Sequence, residues 1–174
     1  MNEERAIERL NSLAADEAAA ELLKCCGSKN WARRLMSEHP FESLTQLFES
    51  ADQIWWSLEP RDWLEAFHSH PKIGEQKAAA AVTVEAQRWS EDEQSGIRDS
   101  AAATIAALAE MNREYEEKFG YIFIVCASGK SSEAMLEILH ARLGNDPEEE
   151  LRIAAAEQAK ITQLRLKKLV AMKD

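Results

Sequence analysis

The sequence contains few glycines, prolines and cysteines, and it lacks long apolar runs. It contains only 6 glycines and 4 prolines in 174 residues, too few for a collagen-like or linker-rich chain. The three cysteines are an odd number, and Cys25 and Cys26 are adjacent, so a disulfide framework is not expected and a reducing compartment is favoured. Neither a run of ~18 apolar residues nor a signal-peptide core is found. We therefore expect a cytoplasmic protein with no membrane partner.

Basic residues are also few relative to acidic ones. Lysine and arginine total 21 against 31 aspartates and glutamates, which gives a net charge of −10. An acidic surface repels phosphate backbones, so nucleic acid is not an expected partner. The length corresponds to one domain, which we place over residues 1–174.

Helical periodicity dominates what is present. Apolar residues recur three and four positions apart along most of the chain, the pattern of amphipathic helices. Gly27 is placed to end one helix, while Pro60 and Pro147 are placed in the first turn of two others. Tyr121–Cys126 is the one apolar run that favours an extended conformation, by its length and β-branching. The sequence predicts an all-α, single-domain bundle of about eight helices with one short extended segment near residues 121–127.

Two further helices are predicted in the middle of the chain. One covers about Lys77–Arg88, although Val82-Thr83-Val84 weakens that assignment. Ser90 and Glu93 form an S-x-x-E capping box, which predicts the start of a long helix that ends at Gly120.

His70 is the first candidate for chemistry. Pro71 pins its backbone at a helix exit, and Gly74 lets the following chain pack closely. An imidazole held this way suits general acid–base catalysis. The alternative is a plain helix-terminating His-Pro turn.

Ser90, Glu93 and Gln94 form a second candidate cluster. Their spacing puts them on one face of a helical turn, where a hydroxyl, a carboxylate and a carboxamide can hold a polar small molecule. A helix N-terminus at this point would add N–H donors for an anion. The alternative is the capping box alone.

Arg165 is the third candidate, because it lies on the apolar side of the last predicted helix. It either meets an anionic partner or extends to solvent. Cys126 is interpreted as a small buried residue rather than a nucleophile. The histidines and cysteines lack recognisable metal-ligand spacing, so no metal is expected.

Four strings in order, DWLEAFHSHPKIGE, WSEDEQSGI, NREYEEKFGYIFIVCASGKSSEAMLEIL and EQAKITQLRLKKL, resemble the family of 2-oxo-4-hydroxy-4-carboxy-5-ureidoimidazoline (OHCU) decarboxylases. The resemblance extends from about Ile7 to Val170. It implies an all-helical fold, usually a homodimer, that uses neither metal nor organic cofactor. The implied reaction converts OHCU to (S)-allantoin and CO2 in urate breakdown.

The resemblance also assigns site residues. His70 matches the catalytic histidine and Glu93 its carboxylate partner. The matches to substrate contacts are Pro71, Ser90, Glu93, Gln94, Phe123, Ile124, Val125, Cys126, Ala127 and Arg165. The extended run lacks helical pairing, so its N–H and C=O groups are expected to be free to bind a ureido group.

Two other functions remain open at this point. One is a non-catalytic helical interaction module, which would need a flat patch and no polar pocket. The other keeps the fold but acts on a related ureido or imidazoline acid.

Overall fold

The computed structural model describes residues 3–73, 84–93 and 102–171. Within these ranges the chain forms nine helices and no strand. They are α1 (Glu3–Ser12), α2 (Ala15–Cys26), α3 (Lys29–Met36), α4 (Leu44–Trp56), α5 (Pro60–His68), α6 (Val84–Glu93), α7 (Ala102–Phe119), α8 (Ser132–Arg142) and α9 (Pro147–Ala171). The predicted all-α class is confirmed, with one helix more than the eight expected.

The chain divides into two compact units by its internal contacts. The first comprises Met1–Ala66 with Ala159–Asp174, and the second is Phe67–Gln158. The boundaries therefore fall inside α5 and α9. The assignment of residues 1–174 to a single domain stays a prediction.

The first unit is built on α1 to α4. Helix α3 packs against α2 and α4, and α1 packs against α4. Trp31 on α3 is fully buried, and its indole Nε1–H donates to the Ala51 carbonyl at 2.9 Å. This hydrogen bond satisfies the polar edge of a ring whose burial stabilises the fold.

The second unit has α7 packed against α8 and an aromatic cluster beside them. Tyr115 is fully buried and its ring lies 4.6 Å from Phe119, 5.8 Å from Tyr121 and 5.4 Å from Phe123. Phe67, at the end of α5, lies 5.3 Å from Tyr121. The aromatic rings thus connect α7, the last turn of α5 and the extended segment, whose residues 122–127 form no helix or strand.

Local helix-end signals were predicted well. Gly27 has φ 86° and its N–H donates to Leu23 O at 2.8 Å, which ends α2. Gly120 has φ 80° and ends α7 in the same way on Glu116 O. Pro60 and Pro147 each begin their helices. Only glycine adopts such positive φ angles without strain.

The predicted capping box at Ser90 is wrong. Ser90 lies inside α6, which begins six residues earlier at Val84, and its hydroxyl donates to the Ala86 carbonyl at 3.0 Å. A mid-helix serine commonly bonds the carbonyl four residues back. The proposed helix N-terminus at Ser90, with its free N–H donors, is therefore wrong as well. The parts of both predicted helices that fall on residues 74–83 and 94–101, with Gly74 and Gln94, lie outside the described residues.

Within the described ranges, we find no helix long and apolar enough to cross a membrane.

Candidate active site

His70 lies at the exit of α5, as predicted. Its backbone N–H donates to Phe67 O at 3.1 Å, so the residue is held in a tight turn just after the helix ends at His68. Its side chain is half-buried. The ring nitrogen Nε2 lies 2.7 Å from Oε1 of Gln158, a side chain with no solvent exposure. The imidazole is thus fixed from two directions, by its backbone and by α9.

Two positions after His70, Lys72 forms an ion pair with Glu116. Lys72 Nζ lies 2.6 Å from a carboxylate oxygen of Glu116 on α7. Both side chains are partly exposed, so this pair contributes little to stability. It does tie the stretch after His70 to α7, and Pro71 lies between the two anchored residues.

The extended segment has buried residues at 121 and 123–127, and much of its backbone is already paired. The Cys126 N–H donates to a carboxylate oxygen of Glu157 at 2.7 Å. The Cys126 carbonyl accepts from Lys130 Nζ at 2.6 Å, and the Ile124 carbonyl accepts from Arg142 Nη1 at 2.7 Å. Ala127 O accepts from the Lys130 N–H. The expectation that these groups are unpaired is wrong for these four, because side chains and a turn engage them. Each carbonyl keeps a second lone pair, so its contact with a ureido group stays a prediction.

Neighbouring residues of α9 hold two of the predicted site segments. Glu157 binds the Cys126 amide, and Gln158 meets His70. Since the two α9 residues are adjacent, the histidine and the extended segment are both fixed to the same turn of one helix. The structure therefore brings together two segments that the sequence had marked separately.

Glu93 and Ser90 lie on α6 and are both buried, with 8% and 3% exposure. Burial raises the pKa of the Cys126 thiol, Lys130 opposes that shift, and the negative charges of Glu157 and Glu93 add to it. The carboxylate of Glu93 thus acts electrostatically on a residue of the extended segment. Glu93, Cys126, Glu157 and His70 all belong to the second unit.

Arg165 belongs to the first unit. It is 2% exposed, so extension to solvent is wrong. Its Nη1 lies 3.5 Å from the Lys24 carbonyl near the end of α2, and its charge lowers the pKa values of Cys25 and Cys26 against the larger effect of burial. Its contact with substrate stays a prediction.

Glu157 and Gln158 were not predicted from the sequence. A signal was present: Gln158, Thr162 and Arg165 follow one another at spacings of four and three, the repeat of a single helix face, and all three are buried. Polar residues on a buried helix face need partners. That pattern could have marked α9 as a helix that contributes to a site.

Together these features define a class: an all-helical protein whose second unit contains a fixed imidazole, buried carboxylates and an extended segment. Imidazole and carboxylate groups are those that proton-transfer chemistry uses. Among the described residues, no group of three His, Cys, Asp or Glu side chains is arranged to hold a metal ion.

Comparison with known proteins identifies the family. The OHCU decarboxylase family model matches residues 11–167. The OHCU decarboxylase of Amia calva is 31% identical over 80% of this chain and 79% of its own length. The chain therefore belongs to the OHCU decarboxylase family, and the resemblance noted from the sequence is confirmed.

Two solved structures are similar to this chain. A crystal structure of an OHCU decarboxylase in the presence of (S)-allantoin matches with a TM-score of 0.75 and 38% identity, over 87% of this chain and 98% of the other. A crystal structure of an (S)-allantoin synthase matches with a TM-score of 0.72 at 20% identity, over 97% of this chain and 55% of the other, which supports the fold alone.

A longer relative is also similar. The uric acid degradation bifunctional protein TTL of Arabidopsis thaliana is 39% identical over 86% of this chain, which spans 46% of that protein. The chain thus covers just under half the length of that bifunctional relative.

Proposed function

We propose that this protein decarboxylates OHCU to (S)-allantoin and CO2 in urate degradation. The observation that carries the proposal is the 38% identity, over nearly the full length of the other chain, to an OHCU decarboxylase crystallised in the presence of (S)-allantoin. Family membership argues against a non-catalytic interaction module. A related ureido or imidazoline acid remains the alternative substrate.

The substrate can supply its own electron sink. Its carboxylate leaves from a carbon beside a ring C=N, which accepts the electron pair as CO2 departs, so the reaction does not require the electron sink that PLP or thiamine provides. The hydroxyl on the same carbon then loses its proton as that carbon becomes a carbonyl. The neighbouring carbon gains a proton on one face, which sets the (S) configuration, and the ring nitrogen that accepted the electron pair is protonated.

Two residues are assigned to these proton transfers. Glu93 binds or deprotonates the hydroxyl, and its burial strengthens any hydrogen bond it makes there. His70 transfers the proton that fixes the stereochemistry. Each role is typically worth ~10²–10⁴-fold in rate.

The remaining residues that the resemblance assigns to the substrate are proposed as further contacts. Pro71 directly follows His70, and Ser90 lies three residues before Glu93. Arg165 binds the carboxylate, and residues Phe123–Ala127 bind the ureido group through backbone and side-chain atoms that are not already paired. Gln94 is proposed on its motif position alone.

The test generates OHCU in situ from urate and follows its ultraviolet absorption. Faster decay than in the protein-free reaction, with (S)-allantoin in excess, supports the proposal. Decay at the spontaneous rate with racemic product contradicts it. Offering related ureido and imidazoline acids in the same cuvette tests the alternative substrate, which would be supported if one of them is consumed faster.

We propose further that the enzyme is a cytoplasmic homodimer without cofactor. The cysteine pattern supports a reducing compartment. Light scattering on the purified protein tests the dimer, since a monomer mass at assay concentration contradicts it.

A further inference from the structure

Gln158 makes the hydrogen bond that fixes His70. Its Oε1 lies 2.7 Å from His70 Nε2 across 88 positions of sequence, and its side chain is fully buried. An amide oxygen only accepts hydrogen bonds, so the ring nitrogen facing it must carry a proton. In a neutral imidazole, the other nitrogen, Nδ1, then holds the lone pair.

We infer that Gln158 is a positioning residue that holds His70 as the Nε2–H tautomer, so that Nδ1 is the nitrogen that exchanges protons with substrate. This inference rests on the proposed function for its catalytic consequence. The proton balance is as follows: the imidazolium gives its Nδ1 proton to the substrate carbon and becomes the neutral form, whose proton stays on Nε2 and is hydrogen-bonded to the Gln158 oxygen. A proton from solvent then restores the imidazolium.

The neighbouring residue strengthens this role. Glu157 fixes the Cys126 amide at 2.7 Å, so rotation or displacement of this turn of α9 would move the histidine and the extended segment together. An uncharged partner at 158 also avoids placing a buried carboxylate next to the half-buried Glu157. Such a carboxylate would favour the charged imidazolium, whereas glutamine orients the ring without adding a charge.

The first measurement needs no substrate. Nitrogen-15 spectra correlated to the ring C–H protons report which nitrogen of His70 is protonated, with His70→Ala assigning the signal. We expect the Nε2–H form in the wild type above the titration midpoint. A lone pair on Nε2 would overturn the inference whatever reaction the protein catalyses.

The second measurement uses two substitutions and a matched control. Gln158→Met keeps the volume and removes the acceptor, so kcat should fall at least about 10-fold with a smaller change in KM, because misorientation of a catalytic group costs transition-state stabilisation. Gln158→Glu restores the acceptor and should raise the titration midpoint of His70 by about one pH unit or more. Gln163, on the same helix, donates instead to the Phe48 carbonyl at 3.2 Å, so Gln163→Met and Gln163→Glu should change neither value.

Each outcome of these two measurements either supports the positioning role of Gln158 or contradicts it. Wild-type kcat in a folded Gln158→Met variant, or an unmoved His70 midpoint in Gln158→Glu, would overturn the positioning role. If Gln158→Met does not fold, the wild-type spectrum and the Glu variant still decide. If the protein lacks OHCU decarboxylase activity, the tautomer and midpoint results stand independently.

Discussion

Arg142 Nε lies 2.7 Å from Oε1 of Glu150, with the glutamate completely buried and the arginine 6% exposed. The same guanidinium donates to the Ile124 carbonyl at 2.7 Å and lies 4.7 Å from the Phe123 ring centre. Glu150 also accepts from the hydroxyl of Tyr115 and from Asn145 Nδ2. The pair therefore fixes the extended segment from inside the second unit.

Removing one charge of this pair should be costly. Glu150→Gln leaves the Arg142 charge buried without its counter-ion, and such changes typically cost ~3–5 kcal/mol of unfolding free energy. Denaturant titration measures the loss. The matched control is Glu110→Gln, whose partner Arg113 is solvent-exposed and whose loss should cost less than ~1 kcal/mol. Equal costs for the two variants would show that the buried pair is not a structural anchor.

The difference between local and long-range information explains what the sequence could predict. Gly27 and Gly120 act within one helical turn, so their patterns were sufficient. The S-x-x-E string at Ser90 was misleading because the same serine can cap a helix or bond back to a carbonyl inside one. Only tertiary packing chose between them.

In the candidate site too, local features were predictable from the sequence and long-range contacts were not. His70 at its helix exit was predictable from Pro71. Its contact with Gln158 joins residues 88 positions apart, and no local pattern pairs them. The assignment of Glu93 depended on the family resemblance, because the capping interpretation offered a competing explanation of the same letters.

His70→Ala should lower turnover of OHCU by ~10²–10⁴-fold, since it removes the group assigned to stereospecific proton transfer. Initial rates and chiral analysis of the allantoin product measure this, and circular dichroism should show unchanged helicity. The matched control is His140→Ala, an exposed histidine on α8, which should retain full activity. Near-wild-type CO2 release by His70→Ala would remove His70 from the mechanism.

Glu93→Gln should produce a loss of similar size, because a carboxamide cannot take up the hydroxyl proton. Its control lies two residues away on the same helix: Glu91 is exposed, and Glu91→Gln should keep its turnover. If both variants are equally active, the carboxylate of Glu93 has no catalytic role.

Arg165→Ala should act mainly on KM, because losing an anion-binding group weakens ground-state and transition-state binding alike. Steady-state kinetics with OHCU separate the two parameters. Lys168, near the end of the same helix, is only half-buried, and Lys168→Ala serves as the charge-matched control with little change in KM. An unchanged KM in Arg165→Ala, with lower unfolding stability, would make this buried arginine purely structural.

The adjacent, buried thiols of Cys25 and Cys26 in the first unit should make the protein less stable at alkaline pH. Burial raises the pKa of Cys26 from 9.0 to about 12 and raises that of Cys25 as well. The unfolded chain therefore releases these protons at a lower pH than the folded protein. The stabilisation that they provide is complete below pH 9.0 and is lost as the pH rises from there toward 12.

The comparison of wild type with a Cys25→Ala, Cys26→Ala double variant isolates this effect, because tyrosines and lysines titrate in both. Cavity formation lowers the stability of the variant by a constant amount, whereas the wild type should lose more stability than the variant between pH 8 and pH 10.5, which lies in the window set by these pKa values. Urea midpoints at the two pH values measure the difference. A stability gap that does not change with pH would mean that the thiols ionise alike in the folded and unfolded chains, which contradicts their burial as its cause.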